Sequence, residues 1–229
     1  MRNIKIIAFD ADDTLWDNEP YFREAEALFC DLISPYYPKN EIYSELLKTE
    51  IKNISIYGFG AKSITLSMIE AAIKLSQGKV TSDVIGKIIE NGKTLLNMPI
   101  KLLPGVEDVL KELSSKYKLV VATKGDLLNQ EQKLKKSGLA GYFHHVEVMS
   151  DKRTSDYIKL IRNLHYKPQE LIMAGNSIKS DILPVLEAGA WAAYVPYHVM
   201  WAYEEEGSLP DSPRLIELKN ITDLLKHLK

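Results

Sequence analysis

Apolar residues follow two different spacings along this chain, and the changes of spacing divide it into three parts. The first part, residues 4–9, is a short β-branched and aromatic run that stops at Asp10. A run of this kind predicts a strand buried on both faces. The second part, about residues 20–99, has apolar residues at helical spacing and predicts four helices, with Gly58 and Gly60 breaking the chain between the second and third. An example of this spacing is the set Phe22, Ala25, Leu28, Phe29 and Leu32.

The third part, after Pro104, alternates between helical and strand-like segments. The predicted helices cover residues 106–116, 128–137, 155–164 and 178–187, and the predicted strands cover residues 119–123, 146–149, 171–174 and 192–195. Strands that alternate with helices imply right-handed crossovers and a parallel sheet covered on both faces. The expected fold is therefore α/β, a doubly wound parallel sheet whose first strand is followed by a helical insertion. We assign residues 1–15 and 103–229 to the sheet domain and residues 16–102 to the helical domain.

Composition and charge exclude several classes of protein. The 229 residues are 45% hydrophobic and 26% charged, which is ordinary for a folded domain. Lys and Arg total 29 against 31 Asp and Glu, so there is no bulk basic field to bind nucleic acid or an anionic membrane. No apolar stretch approaches the roughly 20 residues needed to cross a bilayer, and the first residues lack a signal-peptide pattern. We therefore expect a cytoplasmic protein whose single cysteine, Cys30, has no disulfide partner in the chain.

Polar residues with reactive side chains follow four of the predicted strands. In chain order these strand ends read Asp10-Ala11-Asp12-Asp13-Thr14, Thr123-Lys124-Gly125-Asp126, Ser150-Asp151-Lys152 and Gly175-Asn176-Ser177, the last followed by Asp181. Ligands bind at the carboxyl ends of the strands in open parallel sheets, so these groups are expected to meet at one edge. Carboxylates, a hydroxyl, an ammonium and a glycine-containing turn together suit a divalent cation and a phosphate.

A calcium-binding EF-hand loop is the competing interpretation of Asp10, Asp12 and Thr14. That loop requires Gly at its sixth position and Glu at its twelfth. This chain has Leu15 and Tyr21 at those positions. The EF-hand interpretation is therefore excluded.

The four strand ends, in this order and at this spacing, resemble the four motifs of the haloacid dehalogenase-like (HAD) hydrolases, a superfamily dominated by phosphatases. The segment from Asp10 to Thr14 is similar to the first motif, Thr123 to the second, Lys152 to the third, and the segment from Gly175 to Asp181 to the fourth. The helical insertion between the first two motifs resembles the cap domain of the family's C1 branch. The resemblance spans nearly the whole chain and implies a Rossmann-like core.

The resemblance implies a role for each matching residue. Asp10 would be the nucleophile that takes the phosphoryl group as an aspartyl-phosphate. Asp12 would be the general acid and base, which protonates the leaving alcohol and then activates water, with a pKa raised relative to that of Asp10. Lys152 would neutralise charge on the phosphoryl group. Thr123 would bind a phosphoryl oxygen, helped by backbone N–H groups of the Lys124-Gly125 turn.

The resemblance also implies a Mg²⁺ cofactor, held by Asp10, the backbone carbonyl of Asp12, Asn176 and Asp181. Asp181 would contribute directly or through water. Asn176 departs from the family pattern, because most members carry Asp at this position. An amide oxygen still ligates but brings one negative charge fewer, so we expect a weaker Mg²⁺ affinity than in an Asp version.

Neighbouring residues receive smaller roles. Arg153 is a second candidate for the role of Lys152. Asp13 is expected to be solvated or to cap a helix, and Thr14 to hold the turn by hydrogen bonding to backbone. The run of three Glu at 204–206 is expected to be a solvated loop or helix end.

The leading functional hypothesis is a Mg²⁺-dependent hydrolase of a small phosphorylated metabolite, with a helical cap that closes to exclude bulk water. A haloacid dehalogenase shares the fold but lacks the second acidic residue of the first motif, so Asp12 argues against it. A phosphate-binding protein whose metal site is weakened at Asn176 is the non-enzyme alternative. A phosphotransferase is a further open alternative, and the pattern indicates neither the metabolite nor an oligomeric state.

Overall fold

The computed structural model describes residues 3–204 and 207–228, and the chain divides into two compact units. One unit combines Met1–Glu19 with Ile100–Lys229, and the other is Pro20–Pro99. None of the helices in the described ranges has the length and apolar character that a membrane span requires. The α-helices are α1 (Glu19–Ile33), α2 (Lys39–Tyr57), α3 (Ala61–Leu75), α4 (Ser82–Leu96), α5 (Val106–Ser114), α6 (Leu127–Lys136), α7 (Thr154–Asn163), α8 (Leu183–Glu187) and α9 (Leu224–His227).

The first unit is built on a parallel sheet. Its described strands are β1 (Ile6–Phe9), β2 (Lys118–Lys124), β3 (His145–Met149), β4 (Leu171–Gly175), β5 (Trp191–Tyr194) and β6 (Leu215–Glu217). They lie in the order β3-β2-β1-β4-β5-β6, so β1 pairs with β2 on one side and with β4 on the other. A reversal of strand order opens a crevice at the carboxyl ends of the strands. The predicted α/β doubly wound sheet is confirmed.

The central strands send alternate side chains into two apolar layers, because successive residues of a strand point to opposite faces. Ile7 and Phe9 of β1 belong to one layer, which also contains the apolar face of α5. Ile6 and Ala8 belong to the other, which contains the apolar face of α7. All four β1 residues are at most 1% exposed, which explains the continuous apolar run at the start of the sequence.

The second unit is helical and has a core of its own. Helix α2 ends at Tyr57 and α3 begins at Ala61. Between them Gly58 and Gly60 have φ values of +71° and +100°, a region that favours glycine. The predicted break is therefore confirmed. Fully buried core residues of this unit include Phe29, Ile42, Leu46, Met68 and Ile88.

The short helix α9 was not predicted, and two further elements of the first unit differ from the prediction in an informative way. The edge strand β6 was not predicted, because it has three residues and buries only Ile216, which is too short for a periodic signal. The predicted helix over 178–187 is a π-helix, Ile178–Ile182, followed by α8. Pro184 has no N–H to donate to the carbonyl of Ser180. That carbonyl accepts a hydrogen bond from the Tyr157 hydroxyl at 2.9 Å instead.

Gly92 on α4 marks a close approach of α3, and it carries a prediction about stability. A Cβ at Gly92 would lie 2.1 Å from Oγ1 and 2.9 Å from Cβ of Thr65, so no rotation of the threonine relieves the clash. We expect Gly92→Ala to lower the free energy of unfolding by about 1–3 kcal/mol, as overpacking does in other cores. A Cβ at Gly86, on the same helix, meets nothing within 4 Å. Gly86→Ala should therefore raise the free energy of unfolding by about 0.5–1 kcal/mol through helix propensity.

Urea denaturation of the two variants measures this difference. Equal stability of Gly92→Ala and Gly86→Ala would contradict the close packing of α3 on α4.

Candidate functional site

Asp10 lies at the carboxyl end of β1 and forms a buried ion pair with Lys152, which follows β3. The Nζ of Lys152 contacts Asp10 Oδ1 and lies 2.6 Å from Asp181 Oδ1. Lys152 is 3% exposed, Asp10 7% and Asp181 0%. Charged groups buried to this degree need partners and hydrogen bonds. Three of the four sequence motifs therefore meet in one charge cluster.

Two carboxylates share one ammonium in this cluster, and their charges shift the pKa values. Burial raises the pKa of Asp10 to about 7; Lys152 opposes that rise and Asp181 adds to it. Burial by itself lowers the pKa of Lys152, but Asp10 and Asp181 outweigh it and the net shift is upward. The prediction placed the raised pKa on Asp12 relative to Asp10. The Asp10 side chain is the more buried of the two, 10% exposed against 25% for Asp12, and the predicted difference between them stays a prediction.

Asp181 is held in place by the π-helix that follows β4. Its Oδ2 accepts the N–H of Ser177 at 3.0 Å, while Oδ1 pairs with Lys152. Gly175 provides the space, since a Cβ there would lie 2.3 Å from Asp181 Oδ2. Both carboxylate oxygens of Asp181 are thus engaged with the protein. Asp181 therefore orients Lys152, and its direct or water-mediated contribution to a metal site stays a prediction.

A second group of oxygens surrounds the hydroxyl of Thr14. Its Oγ1 lies 3.3 Å from Asp10 Oδ2 and 3.1 Å from Asn176 Oδ1. A hydroxyl has one hydrogen to donate, so it satisfies one of these two oxygens at a time. Thr14 thus connects side chains of the first and fourth motifs. Thr14 also holds the turn as predicted, because its backbone N–H donates to the Ala11 carbonyl at 3.3 Å, while its hydroxyl lies between two side-chain oxygens.

These oxygens are of the type that binds a divalent cation. Within residues 3–204 and 207–228, no three His, Cys, Asp or Glu side chains are grouped so as to hold a metal ion. The candidate ligands are Asp10 Oδ2, the amide oxygen of Asn176, Asp181 and the backbone carbonyl of Asp12 that the resemblance implies. Mg²⁺ prefers oxygen ligands, and its charge would offset the excess negative charge of Asp10 and Asp181. The residues present therefore fit a magnesium ion.

Asp12 lies two residues beyond Asp10 and is held by three donors. Its Oδ1 accepts from Trp16 Nε1 at 2.7 Å and pairs with Lys133 Nζ at 2.6 Å. Its Oδ2 accepts from Gln130 Nε2 at 3.1 Å. The three donor residues are between 1% and 4% exposed. Asp10 and Asp12 thus have separate buried lysine partners.

The second motif contributes a hydroxyl and a turn. Thr123 is 2% exposed, and its Oγ1 accepts from Gln130 Nε2 at 2.7 Å. Gly125 has a φ of +126°, which favours glycine, and turns the chain from β2 into α6. The Lys124 ammonium pairs with Glu204 and lies 2.9 Å from Ser180 Oγ. The structure therefore places the Lys124 side chain against Glu204 and the fourth-motif helix.

Glu204 is largely shielded from solvent, contrary to the prediction of a solvated run. Its side chain is 12% exposed, and its carboxylate accepts hydrogen bonds from the hydroxyls of Ser177 and Ser180. Burial by itself raises the pKa of Glu204, but Lys124 and the two hydroxyls outweigh it, so the pKa lies below its usual range. The prediction fails because the partners of Glu204 come from distant segments. Residues 205 and 206 lie outside the described residues.

Exposure and hydrogen bonding decide the roles of Arg153 and Asp13. The Arg153 side chain is 77% exposed and pairs with Asp151 at 2.8 Å, so Arg153 does not take the place of Lys152. Asp13 accepts two backbone N–H groups at the start of α1, at 2.8 and 3.0 Å. Of its two expected roles, Asp13 therefore has the capping role.

Gln130 and Lys133 are site residues that sequence reasoning missed. They lie three positions apart on α6 and therefore on the same face of the helix. The buried residues of α6 are Asn129, Gln130, Lys133 and Leu134. A helix packed on a sheet normally buries an apolar stripe. The shortage of apolar residues in α6 is the signal that would have pointed to this face.

Comparison with known proteins shows the family. A family model described as haloacid dehalogenase-like hydrolase matches residues 4–189. A haloacid dehalogenase-like family hydrolase from Xanthomonas campestris, known from a crystal structure, has a TM-score of 0.89 and 36% sequence identity. The match covers 99% of this chain and 91% of that chain.

Two curated enzymes are similar over most of their length. The glyceraldehyde 3-phosphate phosphatase of Methanothermobacter thermautotrophicus is 28% identical over 84% of this chain and 85% of its own. The 5-amino-6-(5-phospho-D-ribitylamino)uracil phosphatase YigB of Escherichia coli is 24% identical over 85% of this chain and 84% of its own. Because the family model matches well over half of the chain, this protein is an enzyme of the haloacid dehalogenase-like hydrolase family.

Proposed function

We propose that this enzyme is a phosphatase that hydrolyses the phosphomonoester of a small metabolite, with Asp10 as the nucleophile. The buried pair of Asp10 and Lys152 carries this proposal. A carboxylate at a strand end beside a fixed ammonium is arranged to receive a phosphoryl group. The two curated relatives are named as phosphatases of small phosphorylated compounds, which supports the same class.

The two carboxylates of the first motif divide the chemistry between them. In the first step, a carboxylate oxygen of Asp10 bonds to phosphorus as the bond from phosphorus to the leaving oxygen breaks. Asp12 gives its proton to that oxygen, so an alcohol leaves and an aspartyl-phosphate remains. In the second step, Asp12 takes a proton from water as the water oxygen bonds to phosphorus, which releases Asp10 and inorganic phosphate. Lys152 and Thr123 donate to the phosphoryl oxygens in both steps.

Mg²⁺ is the cofactor we propose. Asp10, Asn176 and the backbone carbonyl of Asp12 would hold it. When bound, it supplies positive charge that offsets the charge of the phosphoryl group. Asp181 orients the Lys152 ammonium and would contribute to the metal site directly or through water.

We propose that the helical unit Pro20–Pro99 is a C1-type cap. Its sequence lies between the first motif, at Asp10, and the second, at Thr123.

A dehalogenase is the weaker candidate, because a departing halide needs no proton and Asp12 is held among donors close to Thr123.

The first test removes the nucleophile. We expect the wild type to hydrolyse 4-nitrophenyl phosphate in the presence of Mg²⁺, and Asp10→Asn to lower kcat by about three orders of magnitude or more. Asp108→Asn, which removes an exposed carboxylate of α5, is the matched control and should keep wild-type turnover. Full activity in Asp10→Asn would show that the nucleophile is misassigned. Binding of inorganic phosphate by a wild type without turnover would favour the phosphate-binding alternative.

The second test restores the charge that Asn176 lacks. Asn176→Asp should lower the Mg²⁺ concentration at half-maximal activity by about tenfold, since ligand charge tunes affinity for hard cations. Asn220→Asp adds the same charge at an exposed position and should leave the Mg²⁺ dependence unchanged. Titration of activity against Mg²⁺ measures both, and equal half-saturation in wild type and Asn176→Asp would contradict the inference that Asn176 weakens Mg²⁺ binding.

The third test moves Asp181 without changing it. Gly175→Ala introduces a Cβ 2.3 Å from Asp181 Oδ2, so the carboxylate and the Lys152 ammonium must shift. We expect kcat to fall by about 100-fold, as for other small displacements of catalytic groups. Gly141→Ala, whose Cβ meets nothing within 4 Å, is the control. Wild-type kcat in a folded Gly175→Ala protein would show that the position of Lys152 does not matter.

A further inference from the structure

Lys133 is buried, although other lysines of the same helix are exposed. Its side chain is 5% exposed, whereas Lys135 and Lys136 on the same helix, α6, are exposed. Burial of an ammonium costs several kcal/mol unless partners compensate. Lys133 Nζ lies 2.6 Å from Asp12 Oδ1 and 3.0 Å from Asn18 Oδ1. The contact with Asp12 is therefore what makes a lysine tolerable at this position.

Gln130, one turn earlier on the same face of α6, connects Asp12 to Thr123. Its Nε2 lies 3.1 Å from Asp12 Oδ2 and 2.7 Å from Thr123 Oγ1. A side-chain amide nitrogen has two hydrogens, one for each of these oxygens. An ionised carboxylate only accepts hydrogen bonds, so the Gln130 side chain must turn its amide nitrogen, and not its oxygen, toward Asp12.

The direction of the Thr123 hydroxyl follows from this contact. Because Thr123 Oγ1 accepts a hydrogen from Gln130, its own hydrogen points elsewhere. Its other recorded neighbour within the described residues is the Lys124 carbonyl, at 3.3 Å, which is longer than a typical O–H···O bond. The hydrogen of Thr123 can therefore turn to a phosphoryl oxygen.

The two oxygens of Asp12 are occupied unequally. Oδ1 receives the Trp16 indole N–H and the Lys133 ammonium, while Oδ2 receives only the Gln130 amide among the contacts of the described residues. A carboxylate oxygen accepts two hydrogen bonds in its plane. Asp12 Oδ2 thus has one acceptor position left for a further hydrogen bond. It contacts the same Gln130 amide nitrogen that Thr123 Oγ1 contacts.

We propose that Gln130 and Lys133 are positioning residues for proton transfer, which fix Asp12 so that Oδ2 faces the leaving-group oxygen. Gln130 also orients the Thr123 hydroxyl as a donor to the phosphoryl group. This inference rests on the proposed phosphatase function and deepens it. Neither residue touches the reacting phosphorus, and both act through Asp12 or Thr123.

A different role for Lys133 is to bind an anionic group of the metabolite. The geometry favours positioning, because the Lys133 ammonium already contacts two oxygens and its side chain is 5% exposed. The two roles differ in what they do to the rate. A lysine that binds substrate changes KM, whereas one that orients the acid changes the dependence of rate on the leaving group.

The experiment compares two substrates of similar shape whose leaving groups differ in their need for a proton. The probes are 4-nitrophenyl phosphate, whose leaving phenolate is stable, and phenyl phosphate, whose leaving oxygen gains more from protonation. The variants are Lys133→Met and Gln130→Met, which keep side-chain length and remove the polar contacts. Lys136→Met removes a charge from the exposed side of the same helix and is the matched control.

We expect both variants to lower kcat/KM for phenyl phosphate about tenfold more than for 4-nitrophenyl phosphate, because general acid catalysis supplies about 10²–10⁴-fold to a poor leaving group. Lys136→Met should leave the ratio between the two substrates unchanged. Inhibition by inorganic phosphate separates the two positions. Gln130→Met should weaken inhibition by phosphate about tenfold, because the misoriented Thr123 hydroxyl loses one hydrogen bond to the charged phosphate. Lys133→Met should leave inhibition by phosphate unchanged.

Equal losses on both substrates, or a rise in KM alone, would overturn the proposal and assign these residues to scaffold or substrate binding. Thermal unfolding of each variant shows whether it is folded. If the Met variants are not, Lys133→Arg and Gln130→Asn keep a polar group but misplace it, and the same selective loss is expected. Failure of the proposed function is recognised separately, because Asp10→Asn would then keep the activity of the wild type on 4-nitrophenyl phosphate.

Discussion

The burial of charge at the carboxyl end of the sheet is the constraint on which the rest of the site depends. Asp10, Lys152 and Asp181 are at most 7% exposed, and none of the three charges is tolerable there without the others. They follow β1, β3 and β4, which are far apart in the chain. The sheet must therefore bring all three to one place, and the order of strands around β1 does so. Gly175 and the π-helix before Pro184 complete the arrangement by leaving room for Asp181.

The same constraint separates the roles of the two carboxylates in the first motif. Asp10 and Asp12 are two residues apart, yet each pairs with a different buried lysine from a different element. Lys152 ties Asp10 to the third and fourth motifs, whereas Lys133 ties Asp12 to α6. Different neighbours give neighbouring carboxylates different chemical roles. In the proposed reaction, one carboxylate exchanges bonds with phosphorus and the other exchanges a proton.

Much of the fold and the main site residues could be predicted because they depend on local pattern. The short apolar run before Asp10 predicts a buried strand, and the alternation after Pro104 predicts a parallel sheet, whichever residues happen to pack against them. Polar residues that end such strands share one edge of the sheet by geometry alone. The strand β6 escaped prediction because three residues carry no period. The π-helix escaped because the partner that satisfies the Ser180 carbonyl in place of the missing Pro184 N–H is the Tyr157 hydroxyl, which comes from a segment remote in sequence.

Local pattern therefore determined the longer elements and the strand ends, and the tertiary structure decided which charged side chains are buried and paired. Lys133 and Lys136 are chemically identical and lie on the same helix, yet one holds Asp12 and the other faces solvent. Glu204 is likewise one of three consecutive glutamates, and its partners Lys124, Ser177 and Ser180 come from the second and fourth motifs. Pairing of charges depends on distances between segments that are remote in sequence. Periodicity in one segment contains no information about those distances.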